Sequence, residues 1–475
     1  MRWTDRLIGF ISVLILARLL VPEDFGIIVM ASLVIGLTDV LLDLGVHIAL
    51  IQNPSPTQAH YNTAWTLRLI QALLATILVC AIAPWAAVFF AEPQITLVIQ
   101  VLALSFLISG LENIGIVNFQ KEMRFTDDFR FTFTKRIAGF IATITAAFWL
   151  QSFWALVIGT LVGRSSGLIL SYLMHPMRPR LSLVQFKEIF AISQWVLVRN
   201  VGIYLDQSLH TMLVGRRDST HTTGAYSLAN EISTLPTTEL LAPINRVLFP
   251  AFVQVKHNTN ELKRLFLLAQ GVQALVGIPA GIGLALVAQE AIPILLGESW
   301  LSAIPFVEII ALVGVVTALL SSGVYVCLTL GRVRLIAAYT WSQVCLFGLL
   351  TIVMLPQAEA LEIAWLRLTV AVLGVGILAW ILIDTLDGLK LWELLDAVYR
   401  PLLAAIFMAL CVSWAGIWVD GAMGWLLIAK ISIGIVSYTT TVALLWWAVG
   451  HPAGAEAYMV EQWQRLYNRL FRNPS

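Results

Sequence analysis

The sequence predicts an all-α protein with many membrane-spanning helices, and three observations support this fold class. Asp, Glu, Lys and Arg make up only 12% of the 475 residues, which is roughly half the charged fraction of a typical soluble protein. Apolar residues make up 59%, and the mean hydropathy is +0.85. The apolar residues form runs near the ~20 residues that a helix needs to cross the hydrocarbon core. This composition excludes a soluble enzyme, a disordered scaffold and a disulfide-rich secreted domain.

Helices are the expected spanning element because backbone groups in hydrocarbon must be satisfied within their own segment. About fourteen transmembrane helices are predicted, the first of them short. Their approximate ranges are 7–20, 26–51, 62–90, 94–118, 129–150, 153–174, 187–214, 222–249, 264–288, 301–328, 333–355, 359–384, 401–418 and 423–449. Residues 388–398 and 455–471 have an amphipathic pattern, which predicts helices that lie along the membrane surface.

These runs predict four parts of the chain. They are an N-terminal six-helix bundle at 1–186, a C-terminal six-helix bundle at 187–398, helices 13 and 14 at 399–450 and a cytoplasmic amphipathic tail at 451–475.

The distribution of basic residues predicts the orientation. Of the 29 Lys and Arg residues, 21 fall on the side of the N-terminus, including Lys135 and Arg136, while only Arg216 and Arg217 fall on the opposite side. Basic residues are enriched in cytoplasmic connections. The expectation is a multi-pass membrane protein with both termini in the cytoplasm.

An internal repeat with a period of about 200 residues relates the two halves. FAEPQITLVIQVLALSFL at 90–107 recurs as LGESWLSAIPFVEIIALV at 296–313 with two residues inserted. A fainter echo relates VPEDFGIIVMA at 21–31 to STHTTGAYSLA at 219–229, with Gly26 aligned to Gly224. Six spans separate the copies, so the halves share one orientation, the parallel repeat of some secondary transporters.

The sequence carries few signs of catalysis. It has no G-x-x-x-x-G-K-[ST] phosphate loop, and its hydrophilic connections are too short to hold a set of catalytic groups. The cysteines and histidines have no metal-ligand spacing, and the near balance of 29 basic and 28 acidic residues indicates no nucleic-acid partner. We therefore expect a protein that moves a substrate across the membrane rather than an enzyme, with no catalytic residues, no metal and no cofactor.

Charged residues inside the predicted spans are the candidates for a binding site, because charge in a membrane is costly and usually faces a wet interior. Arg164 and Arg199 lie midway along their spans, and Arg68 lies about six residues inside its span. An arginine fork stays charged and binds phosphate with two hydrogen bonds. Each arginine could instead neutralise a nearby carboxylate, and Arg68 could extend to the interface.

The acidic candidates are Asp39, Asp43 and Asp206. Asp39 and Asp43 stand four residues apart on one helix face, where two carboxylates repel unless they are paired or protonated. They are candidates either for cation coupling or for a structural role near the cytoplasmic surface. Asp206, two helical turns beyond Arg199, is a candidate structural partner of Arg246.

Seven segments spread along the chain carry a resemblance. In order, they are ILARLLVPEDFG at 15–26, DLGVHIALIQ at 43–52, FFAEPQI at 89–95, MRPRLSL at 177–183, LDQSLHTMLVGR at 205–216, INRVLFPAF at 244–252 and LLGESW at 295–300. Together they resemble Wzx-type polysaccharide transporters, which are oligosaccharide flippases of the MATE/MOP superfamily, and in particular the branch described as lipopolysaccharide biosynthesis flippases.

This resemblance implies a V-shaped fold of two six-helix bundles with two additional C-terminal helices. It also implies a location in the bacterial inner membrane, where an oligosaccharide on undecaprenyl pyrophosphate is moved from the cytoplasmic to the periplasmic leaflet for exopolysaccharide, capsule or O-antigen synthesis. The expected partners are the lipid-linked oligosaccharide, membrane lipids and other polysaccharide-assembly proteins. Two alternatives stay open: a cation-coupled exporter of small drugs with the same fold, and a membrane enzyme or scaffold of envelope assembly.

Overall fold

The computed structural model describes residues 2–42, 46–53, 55–186, 194–353, 357–418, 422–452 and 454–471. Within these ranges, the side chains of residues 2–7, 47, 48, 52, 194–199, 418 and 466–471 are outside the description. All regular secondary structure in the described part of the chain is helical, as the composition predicts.

The chain divides into two compact units, Met1–Ser227 and Leu228–Ser475. The helices of the first unit are α1 (Arg2–Leu19), α2 (Pro22–Leu42), α3 (Val46–Gln52), α4 (Gln58–Phe90), α5 (Gln94–Gly110), α6 (Val117–Lys121), α7 (Phe125–Leu150), α8 (Trp154–Met174) and α9 (Gln194–Arg217). A 3₁₀ turn at Ile114–Ile116 precedes α6. Helix α10 (Thr220–Val255) begins in the first unit and continues into the second. The four-part division expected from the sequence stays a prediction.

The second unit continues with the helices that follow α10. They are α11 (Thr259–Leu295), α12 (Ile304–Ala318), α13 (Ser321–Thr329), α14 (Val333–Val353), α15 (Ala360–Thr385), α16 (Leu391–Trp418), α17 (Met423–Ala448) and α18 (Ala455–Phe471). A 3₁₀ helix at Glu298–Ala303 leads into α12. Residues 391–398, expected to form a separate surface helix, are instead continuous with the span that follows them in α16.

Nine helices in the described residues are long and apolar enough to cross a membrane. A tenth span results when α5 and the short helical segment Ile114–Lys121 are counted together, although the two are bent by 68° relative to each other. These helices agree with a polytopic membrane protein, and the finer count of fourteen spans stays a prediction.

The first unit has an apolar core and an apolar exterior. Met30, Val79 and Ile99 are completely buried between α2, α4 and α5, whereas Trp149 is 83% exposed and Leu173 is 77% exposed. Large apolar side chains facing outward at such exposure mark a surface that contacts lipid. Because both faces of these helices are apolar, small residues rather than a hydrophobic stripe allow close helix contact.

The faint repeat at 21–31 and 219–229 has a structural counterpart within the first unit. Helices α2 and α10 begin at aligned residues, Pro22 and Thr220, and their first turns cross at glycines. A Cβ atom on Gly26 would collide with the backbone carbonyl of Thr220, and a Cβ atom on Gly224 would collide with that of Pro22. The contact is therefore reciprocal, as in a two-fold symmetric interface.

A second pair of aligned residues meets at the same crossing. The Nδ1 atom of His221 lies 2.8 Å from Oε1 of Glu23. Both side chains are exposed, so the pair contributes little to stability. The close backbone approach at the two glycines is consequently the main constraint on this crossing.

We expect Gly26→Ala to lower the thermal stability of the purified protein, because the new methyl group would overlap the backbone of the first turn of α10. Overpacking of this kind costs about 1–3 kcal/mol. The measurement is the unfolding midpoint in detergent. Gly376→Ala, in the middle of α15 with nothing within 4 Å of the added Cβ, is the matched control and should leave the midpoint unchanged or raise it. Equal midpoints for Gly26→Ala and the wild type would contradict the close crossing.

Candidate functional site

A buried carboxylate with two basic partners lies inside the first unit. The side chain of Glu112 is 3% exposed; its Oε1 accepts a hydrogen bond from Nζ of Lys135 at 2.7 Å, and its Oε2 accepts one from Nη2 of Arg68 at 3.1 Å. Gly167 leaves the space for this contact, since a Cβ there would lie 2.6 Å from Oε1 of Glu112. The three charged groups carry a net charge of about +1, so the cluster remains attractive to an anion.

Glu112 stands at a break in the helical backbone. Helix α5 ends at Gly110, and the chain resumes helical geometry at Ile114 with the 68° bend. Broken helices are tolerated at membrane depth where they are buried in protein or line a wet cavity. The break therefore places a carboxylate, with unwound backbone beside it, in the interior of the unit.

Asn113 holds this break in place through both its backbone and its side chain. Its backbone N–H donates to Oγ of Ser171 at 2.9 Å, its side-chain oxygen accepts from the N–H of Gly115 at 2.9 Å, and its side-chain amide donates to the carbonyl of Met177 at 2.7 Å. Burial lowers the pKa of His175, which favours the neutral ring, and its Nδ1 accepts the N–H of Met177 at 3.2 Å. The break is thus fixed to the segment that follows α8.

A cavity of about 520 Å³ opens beside this cluster. Its polar lining includes Asp39, Arg68, Gln71, Ser105, Ser109, Glu112, Gln120, Asp128, Thr132 and Arg164. Arg164 is exposed, and its Nη1 donates to Oγ of Ser109 at 3.1 Å. Arg164 lies at the middle of α8, ten residues from either end.

The charges of the cavity are separated along the helices. Asp39 lies three residues before the end of α2, and Asp128 lies three residues after the start of α7. Arg68 lies ten residues inside α4, about 15 Å along its axis, and Arg164 is at mid-helix. The two aspartates are therefore near helix ends, and the cationic groups lie deeper.

The structure brings together three of the predicted site residues. Arg68, Arg164 and Asp39 line the same cavity, and Arg68 has the carboxylate partner that the alternative interpretation anticipated. Arg199 lies on α9, but its side chain is outside the described residues, as is Asp43 altogether. Asp206 is an exposed residue of α9 and is not among the described residues that line this cavity.

Sequence reasoning misplaced Lys135 and Arg136. The orientation count assigned them to the cytoplasmic side, but α7 begins at Phe125, so both lie near the middle of a 26-residue helix. The predicted span 129–150 already contained both residues, but the count grouped them with the basic residues that precede that span. The role of Glu112 as the shared partner was also missed, because Arg68 and Lys135 are 44 and 23 residues away in the chain.

The second unit contains two further buried ion pairs. Nζ of Lys430 on α17 lies 2.6 Å from Oε1 of Glu290 on α11, and Nη1 of Arg400 on α16 lies 3.2 Å from Oε1 of Glu456 on α18. All four side chains are at most 12% exposed. These pairs connect α11 to α17 and α16 to α18. No group of three or more His, Cys, Asp and Glu within the described ranges is placed to hold a metal ion.

Apolar spanning helices that enclose charged groups at mid-helix define a multi-pass membrane transporter. A family model described as "Polysaccharide biosynthesis protein" matches residues 15–305, which is more than half of the chain. The chain belongs to this polysaccharide biosynthesis family of membrane transporters, which are not enzymes, and the resemblance noted in the sequence is confirmed.

Three characterised relatives cover much of the chain. The teichuronic acid biosynthesis protein TuaB of Bacillus subtilis (strain 168) is 26% identical over 78% of this chain and 77% of its own length. The lipopolysaccharide biosynthesis protein WzxC of Escherichia coli (strain K12) is 26% identical over 65% of this chain and 63% of its own length. The succinoglycan biosynthesis transport protein ExoT of Rhizobium meliloti (strain 1021) is 24% identical over 92% of this chain and 89% of its own length.

Among solved structures, the fold is similar to that of a lipid II flippase, MurJ, in an inward closed conformation. The TM-score is 0.76, and the match covers 94% of this chain and 98% of the MurJ chain at 12% sequence identity. At this identity the likeness establishes the fold alone.

Proposed function

We propose that this protein translocates an oligosaccharide linked to undecaprenyl pyrophosphate across the bacterial cytoplasmic membrane, by alternating access of two helical lobes. Its product would enter exopolysaccharide, capsule or O-antigen synthesis. The proposal includes fourteen spans, both termini in the cytoplasm and other polysaccharide-assembly proteins as partners. Support comes from the family membership and from the names of TuaB, WzxC and ExoT, all of which refer to surface polysaccharides.

The observation that carries the proposal is the exposed guanidinium of Arg164 at mid-helix in the cavity of the first unit. A cation at this depth is costly unless an anion or water meets it. A diphosphate can supply that anion while the polyprenyl chain stays among lipid tails and the sugars stay in the wet cavity. Arg68 and, on the sequence argument, Arg199 are the further proposed contacts.

We expect Arg164→Ala to reduce transport of the lipid-linked oligosaccharide roughly tenfold or more, since a hydrogen bond to a charged group contributes about 1.5–3 kcal/mol. The measurement is the fraction of oligosaccharide that becomes accessible to an impermeant glycosidase in proteoliposomes. Arg130→Ala is the matched control, because Arg130 is an exposed arginine of α7 that is not among the described residues lining this cavity. Wild-type transport by Arg164→Ala would remove this residue from the site.

The carboxylates of the same cavity favour one alternative, a cation-coupled exporter of small molecules. Asp39 and Asp128 could attract a cationic drug or a coupling ion. Deleting the gene distinguishes the two functions. Retained glycan export together with increased drug sensitivity would support the exporter and overturn the flippase.

A further inference from the structure

A second cavity, of about 490 Å³, lies between α1, α7 and α8. Its charged lining consists of Lys135, Arg136 and Arg164, and no carboxylate is among the lining residues within the described part of the chain. We call this cavity the basic groove. It differs from the first cavity, in which acidic and basic side chains are mixed.

Glycines give the basic groove its space. A Cβ atom on Gly9 of α1 would lie 2.8 Å from Nη2 of Arg136, so the backbone of α1 runs directly beside that guanidinium. Where α7 meets α8, a Cβ on Gly139 would lie 3.4 Å from Cα of Gly163, so the two helices approach closely there. Bulkier residues at these positions would fill the space next to Arg136.

The three basic groups differ in how their charges are compensated. Lys135 is paired with Glu112 at 2.7 Å, whereas Arg164 bonds the neutral hydroxyl of Ser109. Among the described residues, no carboxylate lies within ion-pair distance of Arg136 or Arg164. Arg136 and Arg164 thus lack a carboxylate partner in that part of the chain. Arg164 lies at the middle of a helix that is apolar and long enough to cross a membrane, where a charge normally has a partner.

The surroundings of the groove favour a ligand with an apolar part. Ile11 on α1 is 45% exposed, and Val162 on α8 is 38% exposed; each lies within two residues of a groove-lining residue. Acyl or prenyl chains can cover these side chains while a phosphate meets the guanidinium groups, which bind it with two parallel hydrogen bonds. The hydroxyls of Ser12, Thr132 and Thr160 add further polar groups to the wall.

We propose that the basic groove binds the phosphate group of a lipid, with Arg136 and Arg164 as its ligands. Thr132 and Arg164 also line the first cavity, so a phosphate held here is adjacent to the proposed transport site. The inference deepens the proposed function when the lipid is the diphosphate carrier. An ordinary anionic phospholipid would supply the same chemistry.

The test is lipid binding to the full chain in nanodiscs of phosphatidylcholine. Two probes are titrated separately, undecaprenyl pyrophosphate and phosphatidylglycerol, and bound lipid is counted by native mass spectrometry. We expect Arg136→Ala to weaken binding of at least one probe roughly tenfold, Arg136→Lys to retain part of it, and Arg130→Ala to bind like the wild type.

The outcomes separate the sources of the phosphate. Loss confined to undecaprenyl pyrophosphate supports a substrate subsite, and loss that includes phosphatidylglycerol supports a general lipid phosphate site. Unchanged affinity for both probes in Arg136→Ala overturns the inference, and if that variant does not fold, unchanged affinity in Arg136→Gln does the same. Transport of the oligosaccharide is measured independently, so the flippase proposal can stand or fall without this result.

Discussion

Glu112→Gln is expected to abolish most transport and to lower the stability of the first unit. The change removes the only negative charge of the cluster and leaves Arg68 and Lys135 on either side of a neutral amide. Removing one partner of a buried pair costs about 3–5 kcal/mol. The lower end applies here, because Arg68 is 32% exposed and Lys135 is 24% exposed, so water can compensate part of the lost interaction.

A double variant and a control variant test whether the lost charge of Glu112 causes these effects. Combining Glu112→Gln with Lys135→Met restores the net charge and should recover part of the unfolding midpoint, since contacting residues are energetically coupled. Glu122→Gln is the matched control: Glu122 is 55% exposed, and its carboxylate lies 3.9 Å from Arg124, a surface pair of little energetic weight. A Glu112→Gln variant with wild-type midpoint and transport would show that the cluster contributes to neither property.

Glu290→Gln is expected to produce a large loss of stability in the second unit. Lys430 would remain 12% exposed beside a neutral amide, and we expect a cost of about 3–5 kcal/mol. Because Lys430 is on α17 and Glu290 on α11, the loss should weaken the packing of α17 against α11. The measurements are the unfolding midpoint in detergent and protection of α17 from proteolysis.

Replacing both members of this pair should be far less damaging. Glu290→Leu combined with Lys430→Met removes both charges and substitutes apolar side chains, which is often neutral for a buried pair. The exposed pair Arg465 and Glu461, with contact atoms 2.5 Å apart, supplies the control, and Arg465→Met should leave the midpoint unchanged. If the double variant is as unstable as Glu290→Gln, the ion pair is not the cause of the loss.

The fold class and the repeat follow from one-dimensional features of the sequence. Low charge and long apolar runs are sufficient for a helical membrane protein, because a backbone in lipid has few other options. The alignment of Gly26 with Gly224 was visible as a repeat signal. The tertiary structure was needed to show that each glycine contacts the helix of the other, because a repeat indicates that two segments are similar and not that they are neighbours.

The candidate site was predicted only in part. The depths of Arg68 and Arg164 could be estimated by counting residues along their spans, and both line one cavity. The role of Glu112 could not be predicted, because its partners are on α4 and α7. Arg136 lies inside the predicted span 129–150 but was counted with the cytoplasmic residues, so it was not considered for a site and the basic groove was not predicted.

The sequence by itself determined that this chain is a helical membrane protein of a polysaccharide transporter family, and it identified a few arginines inside the predicted spans. The tertiary structure decided which charges meet: Arg68 and Lys135 at Glu112, Arg136 and Arg164 in one groove, and Lys430 at Glu290 across 140 residues. The physical reason is that counting residues along a span gives the depth of a residue in the membrane but not the direction in which its side chain points around the helix axis. Where helices are apolar on all sides, no stripe marks the face that turns inward, and close packing at small residues selects it.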